Sequence, residues 1–204
     1  MPTEQTSKPS WILADVRDFA RAAHERVVNP DGSIGQKRKY TGEPYFVHPM
    51  EVASIVASRP ATQAMVAAAM LHDTVEDTDV TIEQIRELFG DEVADLVYCV
   101  TDILTPADGN RKFRNEFQNN RLAQSPGEAQ SIKLGDIISN CGSIVRHDPK
   151  YGHTYLREKM ATIKVLTRAD PVLLAEATRI CEEGLVLCEY ALKKARDAQN
   201  APKP

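Results

Sequence analysis

No stretch of this 204-residue chain approaches the ~18 consecutive apolar residues of a membrane span. Nor is there a basic surplus. Twenty-five Lys and Arg stand against 29 Asp and Glu, for a net charge of −4 and a pI near 5.8. That balance argues against bulk nucleic-acid binding, although it leaves room for a small basic pocket. Cysteine is sparse: Cys99, Cys141, Cys181 and Cys188 lie in apolar, helix-like surroundings with no C-x-x-C spacing. A disulfide framework needs dense cysteines in a small chain, so buried free thiols are expected. Met1 to Ser10 is polar and contains prolines. It lacks the charged start and apolar centre of a signal peptide, so a cytoplasmic protein is expected. No run alternates apolar and polar residues with period two, which excludes a half-buried sheet. No internal repeat is present.

What is there reads as helix. Hydrophobic residues make up 42% and charged residues 26% of the chain, ordinary for a soluble globular protein. The length fits one compact domain with a substantial core. Ser10 is expected to cap a first helix carrying Ile12, Val16, Phe19, Ala20, Ala23 and Val27. Asn29 to Thr41 reads as a loop with a basic cluster, Lys37-Arg38-Lys39. Pro49 suits the first turn of a second helix ending near Ser58. A third is expected over Ala61 to Asp77, unbroken. Thr81 to Gln84 is a capping box for a short helix that Gly90 ends. Asp91 is expected to cap the next helix, through Ile103, and Pro106 to Asn110 breaks the chain before a polar helix to Ala123. Ser125-Pro126-Gly127-Glu128 looks like another capping box, and Tyr151–Arg168 and Pro171–Ala198 complete the set. The class is all-α, a compact bundle of about eight to ten helices. Residues 10–198 are expected to form a single domain, with a flexible segment 1–9 and a tail 199–204.

Four residues carry the chemistry. His48 opens His48-Pro49-Met50-Glu51. The pair His72-Asp73 is embedded in the apolar run before Thr74-Val75-Glu76-Asp77-Thr78. Asp136 lies in Ile132-Lys133-Leu134-Gly135-Asp136. Two imidazoles and two carboxylates suit a borderline-to-hard divalent cation. Burying a carboxylate beside a histidine is costly unless both bind something positive. On a helix, Asp73, Glu76 and Asp77 fall at i, i+3 and i+4, and Asp136 and Asn140 at i and i+4. Ligands and spare polar groups therefore gather at one helix end, the division of labour a metal-dependent hydrolase needs. His24 and His153 have no such neighbourhood and read as structural or surface residues.

The flanking words resemble a family. Thr41-Gly42-Glu43-Pro44-Tyr45-Phe46-Val47-His48-Pro49, Leu71-His72-Asp73-Thr74-Val75-Glu76-Asp77-Thr78 and Ile132-Lys133-Leu134-Gly135-Asp136 are similar to the hydrolase half of RelA/SpoT-type enzymes. Those enzymes are HD-domain metal phosphohydrolases. The resemblance runs from about Phe19 to Ile144 and implies a free-standing small alarmone hydrolase, with an HD-domain helical fold. It further implies that His48, His72, Asp73 and Asp136 hold one Mn2+, and that Glu76 and Asp77 activate and orient water. That water would attack the 3′-diphosphate of guanosine 3′,5′-bis(diphosphate) (ppGpp or pppGpp), giving GDP or GTP and pyrophosphate. Asn140 and Ser143 would face the ribose or phosphates, and Lys37, Arg38 and Lys39 the base and phosphates. The chain departs from the family at Lys39, where arginine is usual. It departs again at Asp136-Ile137-Ile138-Ser139-Asn140, where Asp-Arg-Leu-His-Asn is common. The 27–36 loop is longer than usual. Hydrolysis of another nucleotide, such as an adenosine alarmone or the 2′-phosphate of NADPH, is the alternative of the same class. A non-catalytic, metal-stabilised interaction module is the alternative of another.

Overall fold

The computed structural model describes residues 10–199. The expected flexible segment 1–9 and nearly all of the expected tail (200–204) lie outside them. The described residues form α1 (Leu13–Glu25), α2 (Val47–Ala57), α3 (Gln63–Leu71), α4 (Thr74–Asp77), α5 (Ile82–Phe89) and α6 (Asp91–Val100). After a 3-10 turn at Pro106–Asp108 come α7 (Arg111–Gln124), α8 (Gly127–His147), α9 (Pro149–Ile163) and α10 (Pro171–Gln199). The fold is all-α, as the patterning implies. Its extended pairing among the described residues is two isolated bridges, Val28 with Ile34 and Lys37 with Pro44, which fold the 27–44 loop back on itself.

The core has two parts that share α8. Val52, Val56, Ala67, Ala68, Leu71, Val93 and Val97 pack one side, joined by Ala129 and Ile132. Leu134, Ile137 and Cys141 pack the other with Leu156, Leu173, Ala177 and Cys181. Residues 129–137 of α8 are therefore buried without interruption, so this helix is enclosed rather than amphipathic. Gly135 lets α2 come close: a Cβ there would sit 3.3 Å from methyl groups of both Val52 and Val56. That approach brings the start of α2, with His48, onto the stretch of α8 that carries Asp136.

Local signals were read partly right. Thr81 and Gln84 make the reciprocal capping box, and Gly90 ends α5 at φ 89°. Asn110, which the sequence patterning places only in a chain break, caps α7 by accepting from Phe113 N. Ser10 does not cap α1. That helix begins at Leu13, with Asp15 accepting from the backbone of Ile12 at 2.9 Å. Ser125 likewise turns back to Arg121 O at 2.9 Å and leaves Pro126 as the residue before α8. Asp91 is the first residue of α6, not its cap, and pairs with Arg86. α6 stops at Val100, where Thr101 turns extended. The expected continuous helix 61–77 is broken at His72-Asp73. Thr74 Oγ1 donates to Leu71 O at 2.7 Å, and Asp73 takes φ −99°, ψ −5°, ahead of a separate short α4. The cysteines are free, with Cys99 half-buried and the other three buried.

Candidate active site

His48 stands at the start of α2, His72-Asp73 in the turn between α3 and α4, and Asp136 midway along α8. The fold brings all four together. His48 Nε2 lies 3.5 Å from Asp73 Oδ2 and 3.4 Å from Asp136 Oδ1. His72 Nε2 lies 3.2 Å and 3.9 Å from the same two oxygens. Donor atoms of His48, His72 and Asp73 fall within 4.8 Å of one another, and Asp136 approaches both imidazoles from the opposite helix. The two rings are buried, 1% and 2% exposed, with Asp136 at 6%.

Hydrogen bonds fix the direction of each donor. His72 Nδ1 is 2.8 Å from Ala69 O; a carbonyl can only accept, so Nδ1 carries a proton and, in the neutral ring, Nε2 holds the lone pair. Ser139 Oγ donates its one proton to Glu51 Oε2 at 2.7 Å, so it must accept from His48 Nδ1 at 2.9 Å. In the neutral ring His48 Nε2 is therefore also a lone pair. Ser139 thus links His48 to Glu51. Tyr45 OH donates to Asp73 Oδ2 at 2.6 Å. Asp136 accepts from Asn140 Nδ2 at 2.6 Å on Oδ1, and faces Lys133 Nζ at 2.9 Å on Oδ2. Partners of this kind orient ligands and tune their basicity.

The residues fit a divalent cation. Both Nε2 atoms are buried with no hydrogen-bond partner, a costly state for a polar atom unless something else binds it. A cation bonded at 2.0–2.2 Å spaces neighbouring donors by roughly 3.0–3.5 Å, close to the separations seen. The electrostatics agree. Burial works against charge on His72, yet without a cation Asp73 and Asp136 overcome it and lift its pKa to about 9, drawing a proton onto the Nε2 that a cation would otherwise take; His48 is raised in the same way. Burial also opposes charge on Asp73 and Asp136. The histidines, and for Asp136 chiefly Lys133, nonetheless hold both far below the usual carboxylate range. These four groups stabilise one another only by sharing positive charge, which a metal ion supplies directly.

The remaining expected residues divide into those near the cluster and those drawn elsewhere. Asn140 touches Asp136, and its Oδ1 accepts from the Arg38 guanidinium at 2.9 Å. Glu76 lies on α4 with Oε1 accepting from Asp102 N at 2.6 Å. Enclosure of its carboxyl, with Asp73 and Asp102 adding to the effect, raises its pKa to about 8 although the residue reaches the surface. Asp77 accepts from Gln36 Nε2 at 2.8 Å, and Gln36 Oε1 is 2.7 Å from His24 Nδ1. His24 is thus a buried support of this corner. Lys37 is exposed and contributes its backbone to the bridge with Pro44. Lys39 is held over the rings of Tyr40 and Tyr151, at 5.0 and 5.5 Å. Ser143 lines a cavity of about 310 Å³ with Arg38, Ser139, Arg146 and His147.

Sequence reasoning missed Tyr45, Lys133, Glu51 and Ser139. It also missed a cavity of about 240 Å³ lined by Asp102, Arg111, Arg114, Tyr151, Tyr155 and Lys159. Lys133 had a usable signal: a lysine three residues before Asp136 inside an apolar run needs a buried partner. The cavity had none, because its walls come from α7, α9 and the loop between α6 and α7.

Comparison with known proteins agrees with this geometry. Residues 17–127, which include His48, His72 and Asp73 but not Asp136, match the HD-domain family. A probable guanosine-3′,5′-bis(diphosphate) 3′-pyrophosphohydrolase of Synechocystis is 40% identical over 162 residues, 76% of this chain and 20% of that protein. The corresponding Aquifex aeolicus enzyme is 44% identical over 111 residues, 52% of this chain and 15% of its own length. The chain thus spans a fifth or less of these curated relatives. A solved structure described as a metazoan ortholog of SpoT that hydrolyzes ppGpp superposes with a TM-score of 0.70 at 25% identity. The match covers 88% of this chain and 99% of that one. With its paired histidines, the His-Asp turn and the matching stretch from residue 17 to 127, the chain belongs to the HD-domain family.

Proposed function

We propose that this protein is a manganese-dependent hydrolase that removes the 3′-diphosphate of guanosine 3′,5′-bis(diphosphate) as pyrophosphate. One observation carries the reading: two buried imidazole Nε2 atoms without hydrogen-bond partners face two ionised carboxylates, beside a further carboxylate and basic cavities. The similarity to two named 3′-pyrophosphohydrolases and to a SpoT ortholog supports the substrate.

His48, His72, Asp73 and Asp136 would hold the ion, whose oxygen-rich half suits manganese at least as well as zinc. When bound, the ion lowers the pKa of water and neutralises phosphoryl charge. Glu76 takes the proton of the attacking water, and Asp77, braced by Gln36, orients it. The water oxygen ends in the released pyrophosphate, and the ribose 3′ oxygen keeps its carbon and leaves as a hydroxyl. Asn140 and the Arg38 guanidinium it holds bind the ribose and phosphate side. Lys37, Lys39 and Ser143 are assigned to outer contacts with base and phosphates.

Hydrolysis of another nucleotide stays in view because Arg38 is tied to Asn140 and Lys39 to two tyrosines. That arrangement leaves selection of the base to the loop. The test is pyrophosphate and phosphate release over a panel of ppGpp, its adenosine counterpart and NADPH, with Mn2+ added. Pyrophosphate and GDP from ppGpp, at the highest kcat/KM of the panel, are expected. Release from another nucleotide alone would overturn the substrate, and no release from any would leave only a metal-stabilised interaction module.

A further inference from the structure

Helix α10 buries Leu173, Ala177, Cys181, Gly184 and Cys188 against the fold and turns the opposite stripe to solvent. On that outer stripe Arg179, Glu183, Val186, Tyr190, Lys193 and Asp197 recur at alternating spacings of four and three. That is the spacing of a helix-pairing seam, here with Val186 and Tyr190 as an apolar centre flanked by charges. Val186 and Tyr190, at its centre, are 66% and 67% exposed, and neighbouring Leu187 is 58% exposed. Leu187 also borders a groove of about 460 Å³ with Val145, Ile180 and Gly184, which extends the apolar surface toward α8. Beyond Ala191 every described residue of α10 is exposed, so its last turns run past the core. Such turns gain little from helix formation alone.

The charges on this stripe select the occupant. Inverting the helix about Cys188 carries Arg179 onto Asp197, and Val186 onto Tyr190. It also carries the acidic pair Glu182-Glu183 onto the basic pair Lys193-Lys194. In an antiparallel pair of identical helices every one of these charges meets its opposite, whereas in-register parallel pairing sets like against like. We propose that α10 is a dimerisation helix, and that its exposed stripe docks antiparallel on the same stripe of a second copy of this chain. The contact is isologous and closed, so it yields a dimer and not a filament.

The test uses the full chain in sedimentation velocity from micromolar to hundred-micromolar concentration, with circular dichroism to confirm that helix content is retained. Wild type is expected to sediment as a dimer. The variants E182K/E183K and K193E/K194E each set like charges against like. Each is expected to associate roughly a hundredfold more weakly. Mixing them in equal amounts should restore a dimer, because every charged end then faces its opposite again. A monomeric wild type, dimers of undiminished affinity in either variant, or variants that stay apart on mixing would each overturn the proposal.

Discussion

Glu76 and Asp136 are both carboxylates of one site, yet they keep different company. Asp136 points one oxygen at two imidazoles and the other at buried Lys133, whereas Glu76 rests on the backbone of Asp102. Glu76→Gln keeps shape and hydrogen-bonding reach but cannot take a proton. Turnover is expected to fall about 10²–10⁴-fold with bound metal and substrate affinity little changed. Loss of metal along with rate would make Glu76 a ligand, and near-normal turnover would make it structural. Asp136→Ala is expected to behave oppositely, with metal content lost in elemental analysis. Removing one partner of a buried ion pair also strands Lys133, at a cost of about 3–5 kcal/mol in a denaturant titration. Equal metal content in this variant and wild type would refute the ligand assignment. The four proposed ligands were legible because their residue types are wrong for the apolar runs they occupy. Ser139, Glu51 and Tyr45 were not, since a serine, a glutamate or a tyrosine near a helix start has many ordinary explanations. Their part depends on what lies across the helix interface.

At the scale of elements, the close approach of α2 to α8 decides whether His48 reaches Asp136. Gly135 makes that approach possible, with Val52 and Val56 packed where a side chain would be. Gly135→Leu is expected to push the helices apart, at about 1–3 kcal/mol, lowering Tm by roughly 2–12 °C. It should also weaken metal binding although no proposed ligand is altered. Unchanged metal affinity in a titration of the folded variant would show that the approach does not set the site. The break at His72-Asp73 is the other decisive element. Helical periodicity runs through it, so sequence reading extended one helix over Ala61 to Asp77. What ends α3 is local hydrogen bonding: His72 Nδ1 caps back to Ala69 O and Thr74 Oγ1 to Leu71 O. Those bonds compete with the helical ladder in a way that spacing alone does not reveal. Asp91 and Ser125 failed as caps for the converse reason, because side chains that can cap a helix can also bind elsewhere, here Arg86 and Arg121 O; Ser10 lies ahead of Ile12, where α1 is entered.

For the whole molecule, one site joins the two halves of the core, so occupancy of that site should be felt as global stability. A ligand present at a hundred times its Kd stabilises the folded state by ~2.7 kcal/mol. For a domain of this size, chelation should therefore lower Tm by roughly 5–11 °C, and added Mn2+ should restore it. A melting curve indifferent to chelator and metal would argue against an ion in this position. No helix among the described residues is long and apolar enough to cross a membrane, in line with the composition. The helical class, the residue types of the His/Asp cluster and the capping of α5 were determined by the sequence alone. They depend on periodicity, residue chemistry and neighbours three or four positions away. The tertiary structure alone decided that Ser139 and Glu51 aim His48, and that Lys39 is held by two tyrosines while Arg38 reaches Asn140. Each of those contacts depends on the depth and angle at which helices pack. The packing is set jointly by many buried side chains, with no mark in any one segment of the chain.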